Sequence, residues 1–131
     1  MKKLLTLTFW LFAAPVTAQD NAIEGVIGSQ LEAFNDRDVV DAWQYAAPNI
    51  QGMFGSAQNF GMMVERGYPM VWTNRDVQFL DQEDFGGATR QVIRVTDEAG
   101  GFHFLEYQMI ETDAGWRIAG VQIIPQPDVG V

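Results

Sequence analysis

The sequence predicts an α+β fold in which three N-terminal helices are followed by a four-stranded antiparallel meander sheet. Two patterns predict it. Apolar residues recur at helical spacing as far as Pro69, and from Val71 onward the period changes to two. The strand-like segments are separated by only two to four residues, which joins antiparallel neighbours and leaves no room for the crossover helices of a parallel sheet. Composition agrees: of 131 residues, 47% are hydrophobic, 12% aromatic and 19% charged, as in a globular chain rather than a disordered one.

The first helix is expected after Asp20 and Asn21. Ile23, Val26, Ile27, Leu31 and Phe34 form its apolar stripe, and Glu24 stands three residues after Asn21, the spacing of a capping box. Asn35-Asp36-Arg37-Asp38 interrupts it. Asp38 then caps a second short helix carrying Val39, Val40, Trp43 and Ala47, which Pro48 is expected to stop. Met53-Phe54-Gly55 reads as a tight apolar turn. Ser56 caps a third helix with Phe60, Met63 and Val64 inward, and Gly67 and Pro69 end it. Strands are expected at residues 77–85, 88–97, 101–111 and 116–124, with residues 126–131 a loose tail.

Residues 1–18 read as an export signal. Lys2 and Lys3 make a basic start, residues 4–16 are an apolar run containing Phe9, Trp10 and Phe12, and Val16-Thr17-Ala18 puts small residues where a signal peptidase cuts. A bilayer span needs about 20 apolar residues, whereas this run is shorter and is broken by Pro15. Cleavage after Ala18 removes both lysines, the only ones in the chain, and leaves residues 19–131 as a single domain. The formal charge of the whole chain is -9. The 113-residue product keeps six arginines against all 17 acids, hence -11. The expectation is a soluble periplasmic or secreted domain with no membrane contact after cleavage.

The same composition excludes several classes. Phosphate contacts need clustered Lys and Arg, so nucleic acid is not expected as a partner. The absence of cysteine removes disulfides, thiolate metal sites, a catalytic Cys and a lipid-bearing Cys. A single histidine, His103, removes any His-pair metal site, and neither a metal nor a cofactor is expected. No P-loop, G-x-G-x-x-G, G-x-S-x-G or acidic Ca loop occurs. Gly86-Gly87 and Gly100-Gly101 serve turns.

Two-residue turns would align Leu80, Ile93, Phe104 and Ile123 in one cross-strand row. The opposite face would carry the rows Phe79/Arg94/His103/Ile124, Asp81/Val92/Leu105/Gln122 and Glu83/Arg90/Tyr107/Gly120. A one-residue slip in either hairpin exchanges the faces beyond it. Both faces hold large apolar groups, although three helices cover only one. The second face is therefore expected to meet a partner, either a second copy of the chain or a ligand gathered by Arg94, His103, Asp81, Arg90, Tyr107 and Gln122.

A specific resemblance spans nearly the whole chain from Ile23. It is carried by the helix of residues 23–34, by Ala47-Pro48-Asn49-Ile50-Gln51-Gly52-Met53-Phe54-Gly55, by Phe60 with Gly67-Tyr68-Pro69-Met70-Val71-Trp72, and by Gly115-Trp116-Arg117-Ile118 with Gly120-Val121-Gln122. These residues, after a signal peptide, resemble an exported bacterial family known only as a domain of unknown function. Its fold looks like the nuclear-transport-factor-2-like, or SnoaL-like, superfamily. That resemblance implies a curved sheet folded over three helices to make a cone, and a homodimer formed through the sheet. The superfamily holds cyclases, isomerases, hydrolases and non-catalytic modules, so the fold does not give the function.

Enzymes of that kind use a carboxylate or His inside an apolar cone, aided by Tyr. The candidates here are Asp81, His103 and Tyr107, with His103 paired to Asp81 or Glu106; against this, Asp81 to Asp84 also reads as the solvated end of a hairpin and His103 as structural. Tyr45, Met53, Phe54, Tyr68 and Trp72 are candidates for the mouth of the cone, although aromatics and Met between helices are more often core. Arg90, Arg94 and Gln122 are candidates for an anionic ligand, although Arg90 also faces Glu83. Two functions follow. One is a non-catalytic binding or association module whose cone holds a small amphipathic molecule. The other is a cofactor-free isomerase, cyclase or hydrolase. An open cavity faced by a carboxylate or His103 favours the enzyme, whereas a cone plugged by Phe54, Phe60 and Trp72 leaves only binding, or neither.

Overall fold

Ile23, Ile27, Leu31 and Phe34 fall on one helical face and are all buried, and the helix they define packs on two of the other helices and on the sheet. The computed structural model describes residues 15–127. Five helices precede four strands: α1 Pro15–Asn35, α2 Val39–Gln44, α3 Pro48–Phe54, α4 Ala57–Gly67, α5 Pro69–Trp72, β1 Asp76–Phe85, β2 Ala88–Thr96, β3 Phe102–Thr112 and β4 Gly115–Ile124. No helix among the described residues is long and apolar enough to cross a membrane. The export signal expected at residues 1–18 lies outside the described residues except for its last four, which belong to α1.

The helical layer departs from expectation at three points. Asn21 is not a cap: α1 is already helical at Pro15 and runs through it, because residues 16–20 contain no helix breaker. Pro48 and Pro69 do not simply stop helices. Each is the first residue of a new one, where its missing N–H is no loss and its fixed φ suits the turn. Asp38 and Ser56 do cap as expected, accepting from the amides of Asp41 and Asn59.

α1 ends in a Schellman turn. The Arg37 amide donates to Phe34 O and the Asp38 amide to Ala33 O, at 2.9 Å each. That geometry puts Arg37 at φ 60°, a conformation that normally selects glycine. The side chain supplies a reason for arginine: it donates to Phe34 O, Trp72 O and Thr73 Oγ1, and its guanidinium lies 4.4 Å over the Trp72 ring.

The strands pair in the order β1-β2-β3-β4, as predicted. Their register differs. Glu83 faces Arg90 as expected, but two residues of β1, Leu80 and Asp81, sit opposite Val92 in a bulge, so Phe79 and not Leu80 faces Ile93. The bulge is held by Gln91, whose amide donates to Leu80 O and Val92 O and accepts from Gln82. The β2–β3 connection is longer than a two-residue turn, because the Asp97 carboxylate gathers the amides of Ala99 and Gly101. β3 is therefore slipped by one residue: Ile93 faces Leu105, Arg94 faces Phe104, and Leu105 faces Ile123. A second bulge at Ala119 restores the Met109–Ile118 pairing.

The helices cover one face. Thr89, Gln91, Ile93, Val95, Leu105, Tyr107, Met109 and Ile118 are buried there. The outer face carries Val92, Arg90, Arg94, Phe104, Glu106, Ile110, Gln122 and Ile124, with Phe102 57% exposed at one end. Beside β4, Ala47 N donates to Ile118 O and Ile118 N to Tyr45 O, so the chain between α2 and α3 runs along the strand as a short parallel bridge.

Candidate functional site

The helical layer does not fill the sheet's inner face completely. Between α1, α3, α4 and β4 lies a cavity of about 330 Å³. Ile50, Met53 and Phe54 wall it from α3, Phe60, Met63 and Val64 from α4, and residues 118–121 of β4 form its floor. Its existence follows from local geometry. The Ala119 bulge bends β4, while the helix begun at Pro48 holds α3 beyond the strand, with Asn49 Nδ2 donating to Ala119 O at 3.0 Å.

The polar groups at the cavity are few and neutral. Tyr107 is 1% exposed, and burial first, with Tyr68 second, pushes its ionisation upward, so it remains an O–H donor. Tyr68 donates its own hydroxyl to Val121 O at 3.1 Å. Gln30, also buried, donates to Ala42 O and reaches the cavity from α1. No carboxylate, histidine, lysine or arginine lines the cavity, and no cluster of metal-ligating side chains occurs among the described residues.

The residues singled out in the sequence are dispersed by the register slip and the bulge. Tyr68 and Tyr107 reach the cavity. Trp72 packs on Phe34 and under Arg37 and does not line it. Asp81 is exposed in the β1 bulge. His103 stands opposite Val95 at the far end of β3, its Nε2 2.7 Å from Asp97 Oδ2, so its partner is neither Asp81 nor Glu106. The His103 contact and the Gly101 and Ala99 amides hold the Asp97 carboxyl below its usual range.

Arg90, Arg94 and Gln122 lie on the outer face, on the other side of the sheet from Tyr107. Arg90 is bound between Glu83 and Glu106. Arg94 stacks 4.0 Å over Phe102, and its buried Nε has no partner. The expected convergence of six polar residues on one pocket is therefore not found: Arg90, Arg94 and Gln122 share the outer face, Tyr107 is at the cavity, Asp81 in the bulge and His103 on Asp97. Phe54 and Phe60 wall the cavity instead of plugging it. Sequence reasoning misses Gln30 and Ile50: Gln30 looks like an ordinary solvated helix position, and a Pro48 read as a stop conceals α3, whereas the expected Met53 and Phe54 do line the cavity.

The chain belongs to the family described as Domain of unknown function (DUF4864), whose model matches residues 16–131. No curated protein matches it. Among solved structures it is similar to an NTF2-like protein of unknown function from Shewanella oneidensis MR-1, with a TM-score of 0.55 and 14% identity over 79% of this chain and 97% of that one. It is similar also to an NTF2-like protein of unknown function from Shewanella baltica OS155, with a TM-score of 0.55 and 13% identity over 87% and 100%. The fold is therefore NTF2-like, a class that carries many unrelated functions.

Proposed function

We propose that this protein is an exported, non-catalytic binding module that holds a small amphipathic molecule in the cavity between α3, α4 and β4. One observation carries the reading: the cavity is preformed, its walls are apolar, and among the described residues the only deeply buried hydroxyl at it is the neutral O–H of Tyr107. Apolar walls with a few placed polar groups are the ordinary make-up of a ligand site, and about 330 Å³ is at the small end of such sites. A charged group buried there would find no counterion, so the enclosed part of the ligand is uncharged. The enzymatic alternative rests on Tyr107 alone, since Asp81 and His103 do not line the cavity.

The outer sheet face supports pairing of two copies. It presents Phe102, Phe104, Ile110 and Ile124 beside the Arg94 Nε that lacks a partner, a mixture of aromatic, aliphatic and Arg groups that suits a symmetric interface. Sedimentation velocity at micromolar concentration is expected to give a dimer, and Phe102→Asp a monomer.

The cavity is tested with the neutral fluorescent probe N-phenyl-1-naphthylamine on protein recovered from the periplasm. Probe fluorescence is expected to rise saturably, and Val64→Phe, which fills the cavity from α4, is expected to abolish the rise while thermal unfolding remains cooperative. If Val64→Phe does not fold, Met63→Trp serves the same purpose from a half-buried position. Equal probe binding by folded filled variants and the parent would sink the reading. Native mass spectrometry of the same material reports cleavage after Ala18 and any retained molecule.

A further inference from the structure

The cavity continues into a second depression on the protein surface. Met53, Phe54 and Met63 wall both, and beyond them α4 adds Asn59, Met62 and Arg66 to the open side. Asn59, Met62, Met63 and Arg66 are spaced 3, 1 and 3 residues apart, one continuous stripe of the helix. Between its polar members Asn59 and Arg66 the stripe exposes apolar thioether surface: Met62 is 47% accessible, and Met53 of α3 beside it 69%. Unbranched thioethers in such a position adapt to flexible apolar chains.

The charge at this rim is opposite to that of the molecule. Acids outnumber bases 17 to 8 in the chain, yet none of the residues walling either depression is acidic, and the single charged one is Arg66. Arg66 is exposed, and the ion pairs among the described residues involve Arg90 and His103. Its neighbour Glu65 does not line either depression.

We infer that the ligand is a small amphipathic anion, its apolar chain in the cavity and its carboxylate-like head at Arg66, with Met53 and Met63 between the two. The inference rests on the binding reading above and adds the head group and the orientation. Charge-assisted pairing at an exposed arginine contributes modestly, so the chain supplies most of the affinity and Arg66 the choice of head group.

The test is displacement of N-phenyl-1-naphthylamine by decanoate, decanol and decyltrimethylammonium, three probes with one chain and three heads. Decanoate is expected to displace at about fivefold lower concentration than decyltrimethylammonium, the scale of one exposed ion pair. Arg66→Gln is expected to remove that preference without changing displacement by decanol, and Arg66→Lys to restore most of it. If the probe binds and decanoate behaves identically on the parent and Arg66→Gln, or if the cation is preferred, the head-group assignment is overturned and the cavity stands. If the parent binds neither the probe nor any of the three, both readings are overturned.

Discussion

The helical layer meets the sheet in two contrasting ways. At the joint of α1, α5 and β1 the packing is closed and densely hydrogen-bonded. Asn74, 8% exposed, donates to Leu31 O and Val71 O and exchanges bonds with Asn35, and Arg37 is fastened to Trp72 and Thr73. At the cavity, α3 and α4 face β4 across empty space with few polar ties. Phe34 touches both regions, stacking tilted on Trp72 at 6.0 Å and on Phe60 at 5.8 Å. The contrast shows how a small domain keeps a hollow. Void space costs packing energy, and it persists where the helices around it are held by bonds made elsewhere.

The largest expected effect is at the joint. Asn74→Leu removes the side-chain bonds to the carbonyls of Leu31 and Val71 and one of the two bonds made by the Asn35 amide, which keeps its bond to Asn74 O, and is expected to cost about 3 kcal/mol in denaturant unfolding. A loss under about 1 kcal/mol would mean that the joint is not what holds the helices. Next comes Arg37. Arg37→Ala loses the ties to Trp72 and Thr73 while keeping a strained φ, for roughly 2 kcal/mol; Arg37→Gly relieves the strain and is expected to be about 1 kcal/mol less harmful. Equal losses would show that φ 60° carries no strain here.

Gly61 tests the other region. A Cβ there would lie 2.6 Å from Val39 Cγ1, an overlap that a rigid core resists. Because α4 has a cavity behind it, the helix is expected to yield, and Gly61→Ala to cost only about 1 kcal/mol, recovered in combination with Val39→Ala. A loss above about 3 kcal/mol would make the cavity wall as stiff as the joint. The smallest effect lies outside both. The depressed Asp97 carboxyl contributes stability that is present above the unfolded carboxyl value, near pH 4, and is lost as pH falls through the lower folded value. Asp97→Asn is expected to flatten that acid limb of the Tm-against-pH curve, and an unchanged limb would contradict the assignment.

The sequence made the strands legible to within a residue or two at their ends, since alternation and Gly-rich turns report backbone directly. It also revealed the caps at Asp38 and Ser56. The faces were less legible. Nothing local marks Leu80–Asp81 as a bulge, because its support is Gln91, ten residues away and on another strand. The Asp97 turn lengthens the second hairpin by the same side chain that binds His103, and that single slip puts Tyr107 on the helix side while Arg94 stays on the outer face. The candidate site follows: Tyr68 and Tyr107 are legible in the sequence, but Arg90, Arg94 and Gln122, expected beside Tyr107, belong to the other face. Pro48 and Pro69 read correctly as boundaries and wrongly as ends, because a proline that terminates one helix also suits the first turn of the next.

The bridge along β4 bears on what the borders of the sheet leave open. Ile118 spends both its outward backbone groups on Tyr45 and Ala47, Asn49 covers Ala119 O and Tyr68 covers Val121 O, so most of that border is already occupied. The opposite border, β1, is kinked by its bulge and carries Asp76, Asp81, Glu83 and Asp84. Neither offers the flat row of free amides and carbonyls on which another strand would grow. An acidic domain built this way resists fibril-like growth strand upon strand.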